Sequence, residues 1–128
     1  MNSTGILGLV SRSNNWLSGR QALISQNIAN ANTPGYRAQD LQSFQKALEM
    51  AGASSIAKTH GAHLDGGGPL AAMTEPVETE VDEAGMHHSG NSVSLDSEML
   101  KSGQVLSGFA LGTSVYKSFH RMLITGSR

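Results

Sequence analysis

The sequence predicts a mainly α-helical protein: two long terminal helices forming a coiled-coil-like hairpin, joined by an irregular acidic middle with room for one short strand. Three observations predict it. Apolar residues recur at helical spacing over both ends of the 128-residue chain, and not between them. Hydrophobic content of 38%, aromatic content of 5% and 15 glycines leave little material for a large globular core. Charge divides the chain into the same three parts. Residues 1–58 carry five Lys or Arg against Asp40 and Glu49. Residues 59–100 carry eight acids and no Lys or Arg, and residues 101–128 carry four Lys or Arg and no acid. Formal charges of +3, −8 and +4 thus combine to the net −1.

The N-terminal helix is assigned to residues 1–33. Apolar pairs fall seven apart at Leu9/Val10, Trp16/Leu17 and Leu23/Ile24, preceded by Ile6 and continued by Ile28 and Ala31. Two helical turns bring each pair to nearly the same face, so Val10, Leu17 and Ile24 are expected to pack. Ser11, Ser13, Asn14, Ser18 and Gln21 occupy the other side. Gly5, Gly8 and Gly19 each cost about 1 kcal/mol relative to alanine, so the helix should need a partner along its stripe. It should stop near Asn32, because Pro34 disfavours helical geometry at Thr33. Thr33-Pro34-Gly35-Tyr36 suits a type II turn, with glycine supplying positive φ at the third position.

Residues 34–50 are assigned to this turn and a short helix, with Leu41, Phe44 and Leu48 on one face. Asp40 is its expected N-cap, and fraying is expected near Gly52. Residues 51–92 form the variable acidic segment. Gly66-Gly67-Gly68-Pro69 cannot be helical. Thr74 to Val81 alternates loosely enough for one edge strand, and Pro76 keeps it from a central position. The charges at Glu75, Glu78, Glu80, Asp82 and Glu83 favour extension.

The C-terminal helix is assigned to residues 93–128. Ser94 is its expected cap, with Asp96 and Glu98 in the first turns where the dipole favours anions. Lys117, His120 and Arg121 lie toward the opposite end. The expected packing stripe is Leu95, Met99, Leu106, Phe109, Tyr116 and Leu123, at alternating spacings of four and three filled in by Ser102 and Thr113. Val105, Phe119 and Met122 widen it. Gly108 and Gly112 would let another backbone approach closely. The simplest arrangement buries both terminal stripes against each other and leaves the remaining apolar surface to other subunits. Because both arms are basic, their pairing is expected to rest on apolar contacts. The acidic middle is expected outside or at a subunit junction, facing the basic arms of neighbours.

Several function classes lose support. Without cysteine there is neither a disulfide framework nor a thiolate metal site. A dense basic face with aromatics, as nucleic-acid binding requires, is missing, so no nucleic acid is expected. No stretch approaches the ~20 apolar residues of a membrane span. The start, Met1 to Gly5, lacks the basic and apolar regions of a cleaved signal, so the chain should be soluble when made and any export should use another route. Gly66-Gly67-Gly68 lacks phosphate-loop spacing, no serine sits in a nucleophile elbow, and no rigid element holds two acids of 75–83 apart. No catalytic residue and no cofactor is expected. His60, His63, His87 and His88, with Asp65 and Glu83, offer the competing reading of a small histidine-based metal-binding module, which zinc dialysis at neutral pH would distinguish. Solvated loop histidines account for them more simply, and no metal site is assigned.

One run goes further. Ser25-Gln26-Asn27-Ile28-Ala29-Asn30-Ala31-Asn32-Thr33-Pro34-Gly35-Tyr36-Arg37-Ala38 resembles the N-terminal signature of the bacterial flagellar rod and hook family. The length is too short for hook or distal rod members. Gly90-Asn91-Ser92-Val93-Ser94-Leu95-Asp96-Ser97-Glu98-Met99 resembles the opening of the C-terminal helix in proximal rod members of the B type, departing from it at Ser92 and Ser94. Thr59 and His63-Leu64 resemble a central motif of that type weakly. The C-type proximal rod proteins share the first signature and are the alternative within the family.

The resemblance implies a structural axial subunit of the proximal rod. It would be exported by the flagellar type III apparatus and located in the basal body, within the periplasm. The implied partners are other rod subunits, further copies of itself, the rod-to-ring adapter protein, the inner-membrane ring and the export gate. Its assembly motif would be Asn27, Ile28, Asn30, Asn32, Thr33, Pro34, Gly35 and Tyr36. Asn27, Asn30 and Asn32 are expected to bond main-chain groups of the turn or of a neighbour, and Pro34, Gly35 and Tyr36 to fix the angle at which the chain leaves the helix.

Overall fold

In the computed structural model, residues 3–53, 76–78 and 90–127 are described. Their order is α1 (Ser3–Ala29), β1 (Gln39–Leu41), α2 (Phe44–Ala53), β2 (Pro76–Glu78) and α3 (Leu95–Gly126). The architecture is mainly helical, with long helices at the two ends, as the apolar spacing predicts. The glycine run 66–68, the acids other than Glu78 of the 75–83 cluster, Thr59, His63-Leu64 and the histidines at 60, 63, 87 and 88 lie outside the described residues.

α1 and α3 run antiparallel. Gly112 of α3 faces Val10 and Asn14, and Gly108 faces Leu17. Further along, Gln104 meets Arg20 and Glu98 meets Asn27. The core is Trp16, Leu17 and Ile24 of α1, Leu41 of β1 and Val105 of α3, with Leu23, Phe44 and Phe109 packed against it. Each such burial stabilises by about 1.5–3 kcal/mol. Trp16 anchors it: its ring lies 5.9 Å from that of Phe44, and its indole N–H donates to the Gln42 carbonyl at 2.9 Å.

α1 ends at Ala29, slightly before Asn32. The Asn30 and Ala31 amides turn back to the carbonyls of Gln26, Asn27 and Ile28. The Thr33–Tyr36 turn forms as its chemistry predicts: Gly35 has φ of 74° and the Tyr36 amide donates to the Thr33 carbonyl at 3.3 Å. Beyond it, β1 pairs antiparallel with β2, Asp40 opposite Val77 and Leu41 opposite Pro76. This is the edge strand that the 74–81 alternation allows.

Two capping expectations need correction. Asp40 does not cap α2; it belongs to β1 and is taken by Arg20. Ser43 takes the role instead, its hydroxyl accepting from the Lys46 amide at 3.4 Å. Ser94 stands at the N-cap of α3, but its side chain makes no capping bond. The chain is held there by Asn91, whose Oδ1 accepts from the Val93 amide at 2.7 Å.

The phase of α3 also departs from expectation. The face turned to α1 carries Glu98, Lys101, Ser102, Val105, Gly108, Phe109 and Gly112. Of these, only Glu98 and Val105 are fully buried. Leu95, Met99, Leu106, Tyr116 and Leu123 stay exposed. A rotation of one residue, about 100°, would exchange Met99 for Glu98 at the interface. It would also strip Glu98 of its partners and drive bulky side chains against α1 where glycine sits. A Cβ on Gly108 would lie 2.9 Å from both Leu17 methyls, and one on Gly112 3.0 Å from Asn14 Oδ1. Close approach and polar pairing therefore outweigh the longer apolar stripe.

Candidate assembly site

Segments 27–40 and 90–101, far apart in sequence, interlock at the end of the hairpin where α1 stops and α3 starts. A helix leaves its last four carbonyls without intrahelical partners. Here the Asn30 and Ala31 amides take those of Gln26, Asn27 and Ile28, and Asn91 reaches across the chain to the carbonyls of the turn that follows. Its Nδ2 lies 3.0 Å from the Asn30 carbonyl, 2.9 Å from that of Ala31 and 2.8 Å from that of Thr33. The next residue closes the turn from the other side. The Ser92 amide donates to the Tyr36 carbonyl at 3.1 Å, and the Ser92 hydroxyl accepts from the Ala38 amide at 2.9 Å. Gly90, with φ of 73°, brings this strand of chain past the Gly35 backbone.

Asn27 is fully buried and uses its whole hydrogen-bonding capacity. Its Oδ1 accepts from the Gln39 amide at 3.0 Å and the Tyr36 hydroxyl at 3.2 Å. Its Nδ2 donates to the Gln39 carbonyl at 2.7 Å and to Glu98 Oε2 at 3.0 Å. One amide thus ties α1, the turn, β1 and α3 together. Asn30 works locally: its Nδ2 donates to the Gln26 carbonyl, and its Oδ1 accepts from the Thr33 hydroxyl. Ile28, Asn32, Thr33, Pro34 and Gly35 are exposed.

Charge is organised around the same clasp. Arg20 grips Asp40 with two parallel bonds, Nε to Oδ1 at 2.9 Å and Nη2 to Oδ2 at 3.0 Å. Its guanidinium also lies 5.4 Å from the centre of the Trp16 ring. Lys101 donates to Glu98 Oε1 at 2.9 Å and lies 3.5 Å from Asp40 Oδ2. Burial pushes the Asp40 carboxyl up. The Arg20 hydrogen bond and charge, the Leu41 amide and the Lys101 charge outweigh it and hold the group below its ordinary value. The two arms are therefore joined by ion pairs as well as apolar contacts, which corrects the expectation drawn from their net charges.

The expected packing residues divide. Leu17 and Ile24 are buried in the hairpin, and Val10 and Phe109 are half-buried. Leu95, Met99, Leu106, Tyr116 and Leu123 join Leu100, Leu111, Val115, Met122 and Ile124 on the exposed surface of α3, at 36% to 69% accessibility. Leu9 and Ile28 are exposed on α1. Sequence reasoning used Asn91 as a letter of a motif and Glu98 as a first-turn acid of the helix, and missed their contacts across the chain. Among the described residues no three His, Asp or Glu side chains cluster as metal ligands, and no helix is long and apolar enough to cross a membrane.

These contacts coincide with what the chain shares with known proteins. A family model described as flagella basal body rod protein matches residues 12–37, the stretch from the first core turns of α1 through the clasped turn. The chain is 40% identical over 120 residues to the flagellar basal body rod protein FlgB of Agrobacterium fabrum (strain C58 / ATCC 33970), covering 91% of this chain and 87% of that one. It is 30% identical over 86 residues to the flagellar basal body rod protein FlgB of Cereibacter sphaeroides, covering 64% and 62%. Identity of this extent over nine-tenths of the chain settles the grouping: the chain belongs to the FlgB family of flagellar basal body rod proteins.

Proposed function

We propose that the chain is a structural axial subunit of the proximal rod. It assembles helically through its terminal helices, links the inner-membrane ring and export gate to the rest of the rod, and transmits torque. Membership of a structural family of the basal body supports this reading. The observation that carries it is the surface of α3. Ten large apolar side chains stay exposed along a helix already clasped to α1. A monomeric soluble protein rarely exposes so many large apolar side chains on one helix. In a packed tube wall the same residues become the core between subunits, and the role expected of Leu95, Met99, Leu106, Tyr116 and Leu123 is met there. The clasp holds α1 and α3 at a fixed angle, so force applied at one end of the hairpin passes along both helices. The further partners of this reading are other rod subunits and the rod-to-ring adapter.

The turn motif gives the test. Gly35 holds a left-handed φ that a β-branched residue resists. Cells whose chromosomal copy carries Gly35→Val should export the chain normally, yet purified basal bodies should lack it and the cells should not swim. Wild-type swimming by that strain would contradict the proposal.

A further inference from the structure

Among the described residues, Glu98 is the one buried acid. It is 1% exposed on the face of α3 turned to α1, beside the position where apolar spacing would place Met99. Its Oε2 accepts from Asn27 Nδ2 at 3.0 Å and its Oε1 from Lys101 Nζ at 2.9 Å. Lys101 in turn lies 3.5 Å from Asp40 Oδ2, and Asp40 is held by Arg20. Charges thus alternate from α1 through β1 to α3, and Glu98 is the member that sits deepest. Burying a carboxylate is costly, and a well-packed apolar side chain in its place is often as stabilising or more. Stability of the hairpin therefore gives no reason for an acid here. Rotational phase does.

Measured from Val105 at 100° per residue, Leu95, Met99 and Leu106 lie about 80–120° to one side, and Leu100, Leu111 and Met122 about 100–140° to the other. All of these are exposed. α3 therefore carries two apolar flanks, separated on its outward side by small exposed residues such as Ser107 and Ser114. A rotation by one residue would turn Leu95, Met99 and Leu106 inward and leave a single flank outside. That rotation needs the Glu98 carboxylate to leave both of its partners.

We infer that Glu98 is a positioning residue for assembly: its bonds to Asn27 and Lys101 fix the rotation of α3 so that both apolar flanks stay outward. The inference rests on the rod reading and deepens it. A subunit with two different flanks makes heterologous contacts that propagate, whereas a single flank joins one partner and stops.

The test places a single cysteine at Val105 or at Leu106 in the full chain and reads maleimide labelling of the purified monomer. With Glu98 present, Val105→Cys is protected and Leu106→Cys labels fast, as their burial dictates. In Glu98→Leu, Asn27 Nδ2 keeps the Gln39 carbonyl and Lys101 keeps Asp40, so the hairpin should stay folded. The Leu106-to-Val105 rate ratio should fall about tenfold, the worth of one charge-assisted hydrogen bond, with Leu106→Cys itself slowed. Unfolding cannot slow labelling at an exposed position, so slowing at 106 reports rotation. Incorporation of Glu98→Leu into purified basal bodies should fall with the ratio. Glu98→Gln keeps an acceptor for Asn27 but sets an amide against Lys101, so its ratio should fall about threefold. It serves where Glu98→Leu does not stay folded, and an unchanged ratio there overturns the inference. In a folded Glu98→Leu chain, an unchanged ratio, or a fall without slowing at Leu106, also overturns it. So does a shifted ratio with wild-type incorporation, because the rod then does not require the phase. Absence of the unsubstituted chain from basal bodies is the separate result that would remove the rod reading itself.

Discussion

Asn91 and Asp40 show how single side chains carry this fold. Asn91 directs its amide at three carbonyls of the turn after α1, of which that of Asn30 also accepts from the Thr33 amide. Asn91→Ala should destabilise the hairpin by about 1–3 kcal/mol, the cost of removing a donor from partly buried acceptors. The urea midpoint of the helical circular dichroism signal measures it. A midpoint unchanged from wild type would mean that water replaces the amide freely. Asp40 gives a pH dependence. Its folded-state value is depressed, so its contribution is complete above the unfolded value of about 3.9. That contribution is lost as the pH falls below this point toward the folded value. Asp40→Asn should therefore flatten the acid limb of a stability-against-pH curve. Neither contact was legible beforehand, for one reason. Asp40 followed by a helical pattern satisfies a local capping rule, and only folding brings Arg20 within 2.9 Å to claim the carboxylate. The Thr33–Tyr36 turn was legible because proline and glycine impose their backbone angles whatever surrounds them.

At the scale of the helices, the two stripes fare differently. In α1, Leu17 and Ile24 are buried where their spacing places them, between α3 and the β1 segment, while Leu9 and Ile28 of the same series stay exposed. In α3 apolar residues cover several faces, and periodicity reports the widest stripe without saying which neighbour meets it. The face against α1 is selected by Glu98, which demands Asn27 and Lys101, and by glycines that admit α1 closely. This separates glycines that look alike in sequence. Gly108 would place a Cβ at 2.9 Å from Leu17, whereas Gly103 has open space within 4 Å. Gly103→Ala should stabilise by about 0.5–1 kcal/mol through helix propensity alone. Gly108→Ala should lose that gain, and by overpacking end about 1–3 kcal/mol less stable than wild type. Thermal unfolding of the two variants side by side checks the order, and equal shifts would mean that α1 and α3 are not in close contact at Gly108.

For the whole molecule, the small core and the large exposed surface belong to one design. Five residues form the buried apolar cluster, while ten large apolar side chains of α3 face outward. On the proposed reading, such a chain would gain most of its apolar burial from neighbours. Opposite charges cross the clasp at residues 20, 40, 98 and 101. The family grouping was legible in the sequence because its signature residues are those that close the clasp. The outward face of α3 was not legible, because periodicity cannot apportion apolar residues between contacts within the chain and surface left exposed.

The central claim is that this outward face is buried in the rod. Because the chain has no native cysteine, single-cysteine variants at Leu100, Leu106 and Leu111 can be labelled without background. The measurement is the rate of maleimide labelling in the purified monomer and in purified basal bodies. The account predicts rapid labelling of all three in the monomer and protection in the basal body, with a cysteine at the exposed position Asn32 serving as the labelling control. Equal labelling of the three α3 positions in monomer and basal body would contradict it.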